Sequence, residues 1–145
     1  MTFAPCKDIA ALSQQPEAAI LAAIAARMEL EIDRSMVGGL PVAVLDRAET
    51  ALLTIGTALA RRGSGRPAAF FTTANGQVVS LCASRPNVRT LYGHADIISA
   101  DGMSVVVASR FRCKLPLPER VATTDAFHDA AALAERVGAT FYFLG

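Results

Sequence analysis

The sequence lacks an excess of charge of either sign. Its 14 lysine and arginine residues are balanced by 13 aspartate and glutamate residues, which leaves a net charge of +1 at pH 7. A nucleic-acid-binding domain usually carries a basic patch or stripe, and this balance gives no sign of one. Low-complexity tracts are absent too, and 52% of the 145 residues are hydrophobic. The composition therefore predicts about one globular domain with a substantial core and no nucleic-acid partner.

Metal-ligating residues are also scarce. The chain has two histidines and three cysteines (Cys6, Cys82 and Cys113), and no two cysteines have CxxC spacing. Because zinc sites need Cys and His ligands at short, regular spacings, we expect no metal. Scattered cysteines in an odd number indicate free or buried thiols in a reducing compartment.

The sequence shows no secretory signal and no hydrophobic run long enough to cross a bilayer. Asp8 follows Lys7 directly, so no basic segment precedes an apolar one. The most apolar early stretch, residues 18–26, lies between Glu17 and Arg27, whereas a membrane-spanning helix needs about 20 apolar residues. We therefore expect a cytoplasmic protein.

Helix and strand patterns alternate along the chain. Residues 1–35 are predicted to be helical, with an apolar stripe at Ile20, Ile24 and Met28. Asp46 and Glu49 form a capping-box pattern that begins the next helix. Further helices are predicted at 76–84 and 103–112, and a last helix, capped by Thr124 or Thr123, extends to Val137. A turn or half-helix is predicted at 88–94, and strands are predicted at 40–45, 68–72, 95–100 and 140–145.

Short, continuously apolar strands that alternate with helices are typical of a parallel sheet covered by helices on both faces. The predicted fold class is therefore α/β, a Rossmann-like, mostly parallel sheet flanked by helices and preceded by an N-terminal helical segment. Residues 1–35 form the predicted helical extension and residues 36–145 the α/β domain. In open sheets of this kind, ligands bind outside the carboxyl ends of the strands.

Polar residues follow two of the predicted strands at that end. Thr73 and Asn75 come after one strand, and Asp101 and Gly102 come after another. Asn75 and Asp101 have the residue types that cap a following helix. Alternatively, neighbouring parallel strands would bring the two clusters into one crevice, where Asp101 could act as a general base.

A third cluster precedes and opens the last helix. Arg120 beside a helix N-terminus would suit an anion such as a diphosphate, or it could form an ordinary surface ion pair. Asp125 and His128 lie three residues apart on one helical face, where they could relay protons or bind metal. A solvated helix face is the simpler interpretation of that pair.

The segments "TTANGQVV", "ADIISADGMSVVVASR" and "LPERVATTDAF" occur in this order and are followed by the C-terminal run "FYFLG". Together, and in this order, they resemble the WecG/TagA/CpsF glycosyltransferase family, from about Val37 to Gly145. It implies transfer of a hexose or N-acetylhexosamine, such as N-acetylmannosamine, from a UDP-sugar donor. The implied acceptor is an undecaprenyl-diphosphate-linked saccharide in exopolysaccharide or teichoic acid linkage-unit biosynthesis. Peripheral contact with the cytoplasmic face of the plasma (inner) membrane would fit such an acceptor.

The resemblance also suggests roles for single residues. Asp101 matches the proposed catalytic base in an inverting reaction that uses neither metal nor cofactor. Thr73, Asn75 and Gly102 match substrate-binding positions. Arg120 and Asp125 match the third motif, in which Thr123 stands where the family has glycine.

Family domains continue beyond the last motif, so the resemblance implies that this chain lacks the family's C-terminal part. The alternative function is therefore a non-catalytic truncated remnant or interaction module of that family. Apolar surface at the last strand would then favour a homo-oligomer. A generic nucleotide-binding α/β domain is a third hypothesis, without a complete GxGxxG or P-loop motif to support it.

Overall fold

The computed structural model describes residues 16–144, which form a mixed α/β structure. This part of the chain contains six helices and four strands. The helices are α1 (Pro16–Glu31), α2 (Arg47–Arg61), α3 (Gly76–Ser84), α4 (Pro86–Tyr92), α5 (Met103–Arg112) and α6 (Thr123–Val137); the strands are β1 (Arg34–Val37), β2 (Leu40–Ala43), β3 (Phe71–Ala74) and β4 (Ile97–Ala100).

Strands β1 and β2 form an antiparallel hairpin that the sequence analysis did not predict. Gly38 and Gly39 connect them, and their φ angles of 58° and 79° are both positive. Two-residue hairpin turns of type I′ need positive φ at both central positions, and glycine takes it without steric penalty. The helix predicted over residues 1–35 is therefore confirmed for Pro16–Glu31 and wrong for residues 34–35, which begin strand β1. Residues 1–15 lie outside the described part of the chain.

The parallel sheet is smaller than predicted. Strands β3 and β4 pair in parallel, with Phe71 opposite Ile97 and Ala74 opposite Ala100. The β1–β2 hairpin is a separate sheet, although β2 contacts β4 without hydrogen-bonded pairing. Of the mostly parallel sheet that was predicted, the described residues therefore form one parallel pair.

The strand predicted at 140–145 is wrong for residues 140–144, which have no regular secondary structure. The run is apolar, yet Tyr142 is 88% exposed and Leu144 is 92% exposed. Apolar sequence alone does not make a strand, because a strand needs a neighbour for its backbone hydrogen bonds. No such pairing forms here within residues 16–144.

Helices cover both faces of the strands, as predicted. Ile98 of β4 belongs to a core with Val42, Val105 and Leu117, all of them buried. Its neighbour Ile97 faces the other way, into a cluster with residues of α1 and α2. A third cluster joins α1, α2 and α6 through Ala18, Leu21, Ala51, Ile55, Ala130, Ala134 and Val137. The alternation along β4 follows from the period of two in a strand.

Most helix ends agree with the sequence signals. The capping box is present, since the Asp46 side chain accepts from the Glu49 N–H and the Glu49 side chain accepts from the Asp46 N–H. Helices α3 and α5 have the predicted bounds, and Gly138 ends α6 with a left-handed conformation. The predicted threonine cap of α6 is wrong: its N-cap is Ala122, which makes no side-chain cap bond.

Two further observations bear on the sequence analysis. Cys82 is buried and Cys113 is half-buried, and both are free thiols as predicted, while Cys6 lies outside the described residues. Between residues 16 and 144, no helix has the length and apolar character needed to cross a membrane.

Candidate active site

The parallel pairing of β3 and β4 brings the first two polar clusters to the same edge. Thr73 lies opposite Ser99, and the Asp101 N–H donates to the Ala74 carbonyl oxygen at 2.9 Å. Asn75 and Asp101 therefore each follow the carboxyl end of one of two adjacent strands. This is the edge of a parallel sheet at which α/β proteins bind ligands.

Asn75 caps helix α3. Its Oδ1 accepts a hydrogen bond of 3.0 Å from the Val78 N–H, which satisfies one of the free donors at the helix start. Gly102 packs directly against it: a Cβ at position 102 would lie 3.2 Å from the Asn75 Cβ. The φ of Gly102 is 177°, which is extended backbone, so its conformation does not require glycine. Glycine is needed here for close approach.

Asp101 does not cap helix α5, because the N-cap is Gly102 and that end has no side-chain cap bond. Instead, Asp101 Oδ2 accepts a hydrogen bond of 2.8 Å from the hydroxyl of Thr123, the first residue of α6. The Val121 N–H donates to the Ala100 carbonyl at 2.7 Å and fixes the segment that carries Thr123. Asp101 Oδ1 has no hydrogen-bond partner among residues 16–144. The carboxylate is thus oriented through one oxygen and keeps the other available.

A cavity of about 210 Å³ lies beside this pair, between strands β3 and β4 and helices α2 and α6. Thr73 lines it, and Thr123 connects it to Asp101. Six hydroxyl-bearing residues and several apolar ones form its wall, namely Thr50, Thr54, Thr72, Thr73, Ser99 and Thr123 with Phe71, Val121, Ala126, Phe127, Ala130 and Phe141. A wall of hydroxyls and aromatic rings suits a ligand that has both polar groups and less polar faces.

The remaining predicted site residues lie near the cavity without lining it. Asn75 and Gly102 are at the strand ends, while Arg120 forms an ion pair with Asp125 at 3.7 Å. Asp125 also approaches Arg47 at 4.0 Å, and both members of the Arg120–Asp125 pair are about half exposed. The surface ion pair proposed as the simpler role of Arg120 is therefore present.

His128 and Asp125 do not form a centre together. His128 is exposed, with its ring centroid 6.0 Å from that of Phe127, while Asp125 pairs with the arginines. Within the residues that the structure describes, no group of three or more His, Cys, Asp or Glu side chains could hold a metal ion.

Thr123 is the functional candidate that sequence reasoning did not find. The sequence analysis treated it as a helix cap and as a departure from a family pattern. Nothing in the sequence around Thr123 indicates that its hydroxyl contacts Asp101, which lies 22 residues earlier in the chain. That contact follows only once β4 and α6 are placed side by side.

Comparison with known proteins identifies the family of the chain. The model of the glycosyl transferase WecG/TagA/CpsF family matches residues 35–145. The chain belongs to this family. The family match supports a glycosyltransferase-type function, with a sugar donor and an acceptor as substrates. Neither a curated protein nor a solved structure matches the chain.

Proposed function

We propose that this glycosyltransferase-family chain transfers a hexose or an N-acetylhexosamine, such as N-acetylmannosamine, from a UDP-sugar. The acceptor is a polyprenyl-diphosphate-linked saccharide in cell-surface polysaccharide biosynthesis. The observation that carries the proposal is the Asp101 carboxylate, held by Thr123 beside a hydroxyl-lined cavity against β3 and β4. The cavity is smaller than the roughly 300–1,000 Å³ typical of pockets for larger ligands, so it suits one sugar ring.

Asp101 is the general base in this proposal. Its free Oδ1 takes the proton from an acceptor hydroxyl as that oxygen attacks the anomeric carbon of the donor sugar. The new bond joins the acceptor oxygen to the anomeric carbon, the bond from that carbon to the diphosphate oxygen breaks, and UDP leaves. One displacement inverts the anomeric configuration. A base must come within about 2.6–3.2 Å of the oxygen it deprotonates.

The other site residues orient the reactants. Thr73 contributes a hydroxyl to the cavity wall. The cap of α3 uses only the Oδ1 of Asn75, so the NH2 group of Asn75 can donate a hydrogen bond to the donor sugar. Arg120 offsets the diphosphate charge and exchanges its present partner Asp125 for the substrate. In this mechanism neither a metal ion nor a cofactor takes part.

The lipid-linked acceptor places the reaction at the cytoplasmic face of the plasma membrane. Peripheral contact is enough for this, because only the saccharide end of the acceptor must reach the cavity. The exposed side chains of Tyr142, Phe143 and Leu144 directly follow Phe141, which lines the cavity, and they provide apolar surface near it.

A second candidate function is a non-catalytic interaction module. The observation that favours it is the same exposed run after α6, which pairs with no strand in the described residues. In this proposal a second copy of the chain covers the run and gives a homo-oligomer.

The deciding experiment measures sugar transfer by the purified chain from a panel of UDP-sugars to a polyprenyl-diphosphate-linked saccharide. We expect one donor to give a product that is heavier by one sugar. Asp101→Asn should lower the rate by about 10²–10⁴-fold, with an unchanged unfolding midpoint. Arg27→Gln is the matched surface control, since the one ion pair of Arg27 within residues 16–144 is with Glu31 in the same helix.

No transfer from any donor, together with a concentration-dependent dimer, would replace the enzymatic proposal by the interaction module. Near-normal turnover by Asp101→Asn would instead remove Asp101 from the mechanism while leaving the transfer activity in place.

A further inference from the structure

The two sides of helix α5 have different surroundings. Its inner side is buried in the core through Val105 and Val106. Its outer side carries apolar residues at a spacing of four positions, namely Met103, Val107 and Phe111, which are 53%, 42% and 83% exposed. Because residues four positions apart lie on the same side of a helix, these three form one apolar stripe. No element among residues 16–144 covers this stripe.

Cationic residues surround the exposed end of the stripe. Arg110, Arg112 and Lys114 lie within three positions of Phe111 in the chain, and all three are exposed. The sequence contains no aspartate or glutamate from residue 102 to residue 118. Within residues 16–144, none of the three cations forms an ion pair with a carboxylate. Their positive charge is therefore not neutralised, although the net charge of the whole chain is close to zero.

Strand β1 adds a fourth cation beside the end of α5. Arg34 lines a depression of about 260 Å³ together with Arg112 and Lys114. The Nη2 of Arg34 donates to the backbone carbonyl of Asp96 at 2.9 Å, a contact that leaves the charge of the arginine uncompensated. Met36 lines the same depression and is 58% exposed. Cationic and exposed apolar side chains are therefore mixed at this place.

We call this region the α5 surface. It consists of the stripe and the four cations, that is, Met103, Val107 and Phe111 with Arg34, Arg110, Arg112 and Lys114.

The chemistry of the α5 surface matches a bilayer that contains acidic lipids. Helices that lie at a membrane interface bury an apolar side at the headgroup boundary, and their lysines and arginines are attracted to anionic lipids. A symmetric dimer through this surface would bring the cations of two copies together, and like charges repel. A nucleic acid would use the cations but would leave the apolar stripe exposed. A lipid surface uses both.

The stripe also begins beside the candidate active site. Met103 is the first residue of α5, and Gly102 is its N-cap. Asp101 directly precedes this cap. The 10 residues of α5 span about 15 Å. A helix that lies along the bilayer would therefore hold the Asp101 carboxylate close to the headgroups, where the saccharide of a lipid-linked acceptor begins.

We propose that the α5 surface docks on a bilayer that contains acidic phospholipids. Val107 and Phe111 enter the headgroup region, and the four cations bind lipid phosphates. The inference rests on the proposed function, because a lipid-linked acceptor is what brings this site to a membrane.

The test is sedimentation of the full chain with two kinds of vesicle. One contains phosphatidylglycerol and phosphatidylcholine in equal parts, and the other contains phosphatidylcholine alone. We expect binding to the first kind only, and weaker binding as the salt concentration rises. Phe111→Ser should weaken binding about tenfold, because an apolar contact is lost. Arg112→Gln should weaken it about fivefold, because one cation near the acidic surface is lost.

Leu30→Ser and Arg27→Gln are the matched controls on α1. Leu30 is 87% exposed, which is close to the value for Phe111, and Arg27 is an exposed arginine. Both variants should bind the acidic vesicles as the unmodified chain does. Circular-dichroism melting should give the same unfolding midpoint for all four variants, since each replaces an exposed side chain.

The inference would be overturned by no binding to the acidic vesicles, by equal binding to both kinds of vesicle, or by unchanged binding of Phe111→Ser. Loss of binding in Tyr142→Ser, with normal binding in Phe111→Ser, would place the membrane contact on the C-terminal run instead.

Sugar transfer by the unmodified chain separates this inference from the proposed function. The acceptor for this measurement is a water-soluble analogue that carries the diphosphate and the saccharide on a short alkyl chain. Transfer without vesicle binding would overturn the docking surface and leave the function in place. Vesicle binding without transfer would overturn the proposed function and leave the docking surface in place.

Discussion

Two aspartates flank strand β4, one at each end, and their surroundings differ. Asp96 precedes the strand and uses both carboxylate oxygens: Oδ2 accepts from the Phe70 N–H at 2.7 Å, and Oδ1 pairs with Arg61 at 3.4 Å. Asp101 follows the strand and, among residues 16–144, uses only Oδ2, which Thr123 holds at 2.8 Å. Each carboxylate joins β4 to a neighbouring element.

The difference separates a structural carboxylate from one that can react. An aspartate whose two oxygens both accept hydrogen bonds from the fold has neither oxygen free for a substrate hydroxyl. One with a single anchored oxygen has a fixed orientation and a free lone pair. We therefore assign the candidate chemistry to Asp101 and a structural role to Asp96, although both are acidic residues at the end of a strand.

The largest expected effect comes from making the same substitution at both ends. Asp101→Asn should lower sugar transfer by about 10²–10⁴-fold and leave the free energy of unfolding unchanged. Asp96→Asn should do the reverse: transfer is retained, while stability falls by about 1 kcal/mol because the charge-assisted bonds to Phe70 and Arg61 weaken. Transfer rates and urea denaturation of the two variants give the comparison, and an equal loss of transfer in both would abolish it.

Two glycines provide a second contrast. In Gly102→Ala, the new methyl group would lie 3.2 Å from the Asn75 Cβ and 3.4 Å from its Cα, so the two strand ends must separate by a few tenths of an ångström. We expect about a tenfold loss of transfer, because catalysis is sensitive to small displacements. Gly65 has open space around it but a φ of 73°, so Gly65→Ala should lower stability by about 1 kcal/mol without affecting transfer. A Gly102→Ala variant as active as the unmodified chain would show that this close contact is not needed.

A smaller effect separates the two roles of Asn75. Asn75→Ala removes the cap of α3 and should lower the free energy of unfolding by about 1 kcal/mol. Asn75→Ser retains a good capping residue, so stability should be nearly unchanged, but the amide available to the donor sugar is lost. Circular-dichroism melting and the Michaelis constant for the UDP-sugar distinguish these outcomes. If Asn75→Ser also retains the Michaelis constant, then capping is all that Asn75 does.

The smallest expected effect on stability is at Arg120. Its ion pair with Asp125 is about half exposed, and such pairs contribute under about 1 kcal/mol. Arg120→Gln should therefore leave the unfolding midpoint almost unchanged but raise the Michaelis constant of the donor, since the diphosphate loses its cationic partner. An unchanged Michaelis constant would restrict Arg120 to the surface ion pair.

The sequence predicted the features that depend on local chemistry. The capping box at Asp46, the cap at Asn75 and the bounds of α3 and α5 all arise from contacts within a few residues. The approach of Asn75 to Asp101 was predictable as well, because it needs only two adjacent parallel strands. The caps and helix bounds follow from capping residues and from the spacing of apolar residues, both of which are visible in a short window of sequence.

Features that depend on distant partners were missed. Strand β1 is four residues long, and its alternation of exposed and buried residues becomes visible only when β2 pairs with it. Residues 140–144 are apolar enough for a strand, but no strand among residues 16–144 pairs with them. The bond from Thr123 to Asp101 requires the placement of α6, which no local pattern specifies.

Gly56 has a consequence for how the molecule unfolds. A Cβ at this position of α2 would lie 2.5 Å from the Ala25 Cβ and 2.6 Å from the Leu21 carbonyl oxygen. Helix α1 therefore rests directly on the backbone of α2, so it cannot detach without exposing the apolar cluster that the two helices share with α6. We expect α1 and α2 to unfold as one cooperative unit, with the backbone amides of Leu21 and Ala25 exchanging their hydrogens only when the whole domain opens.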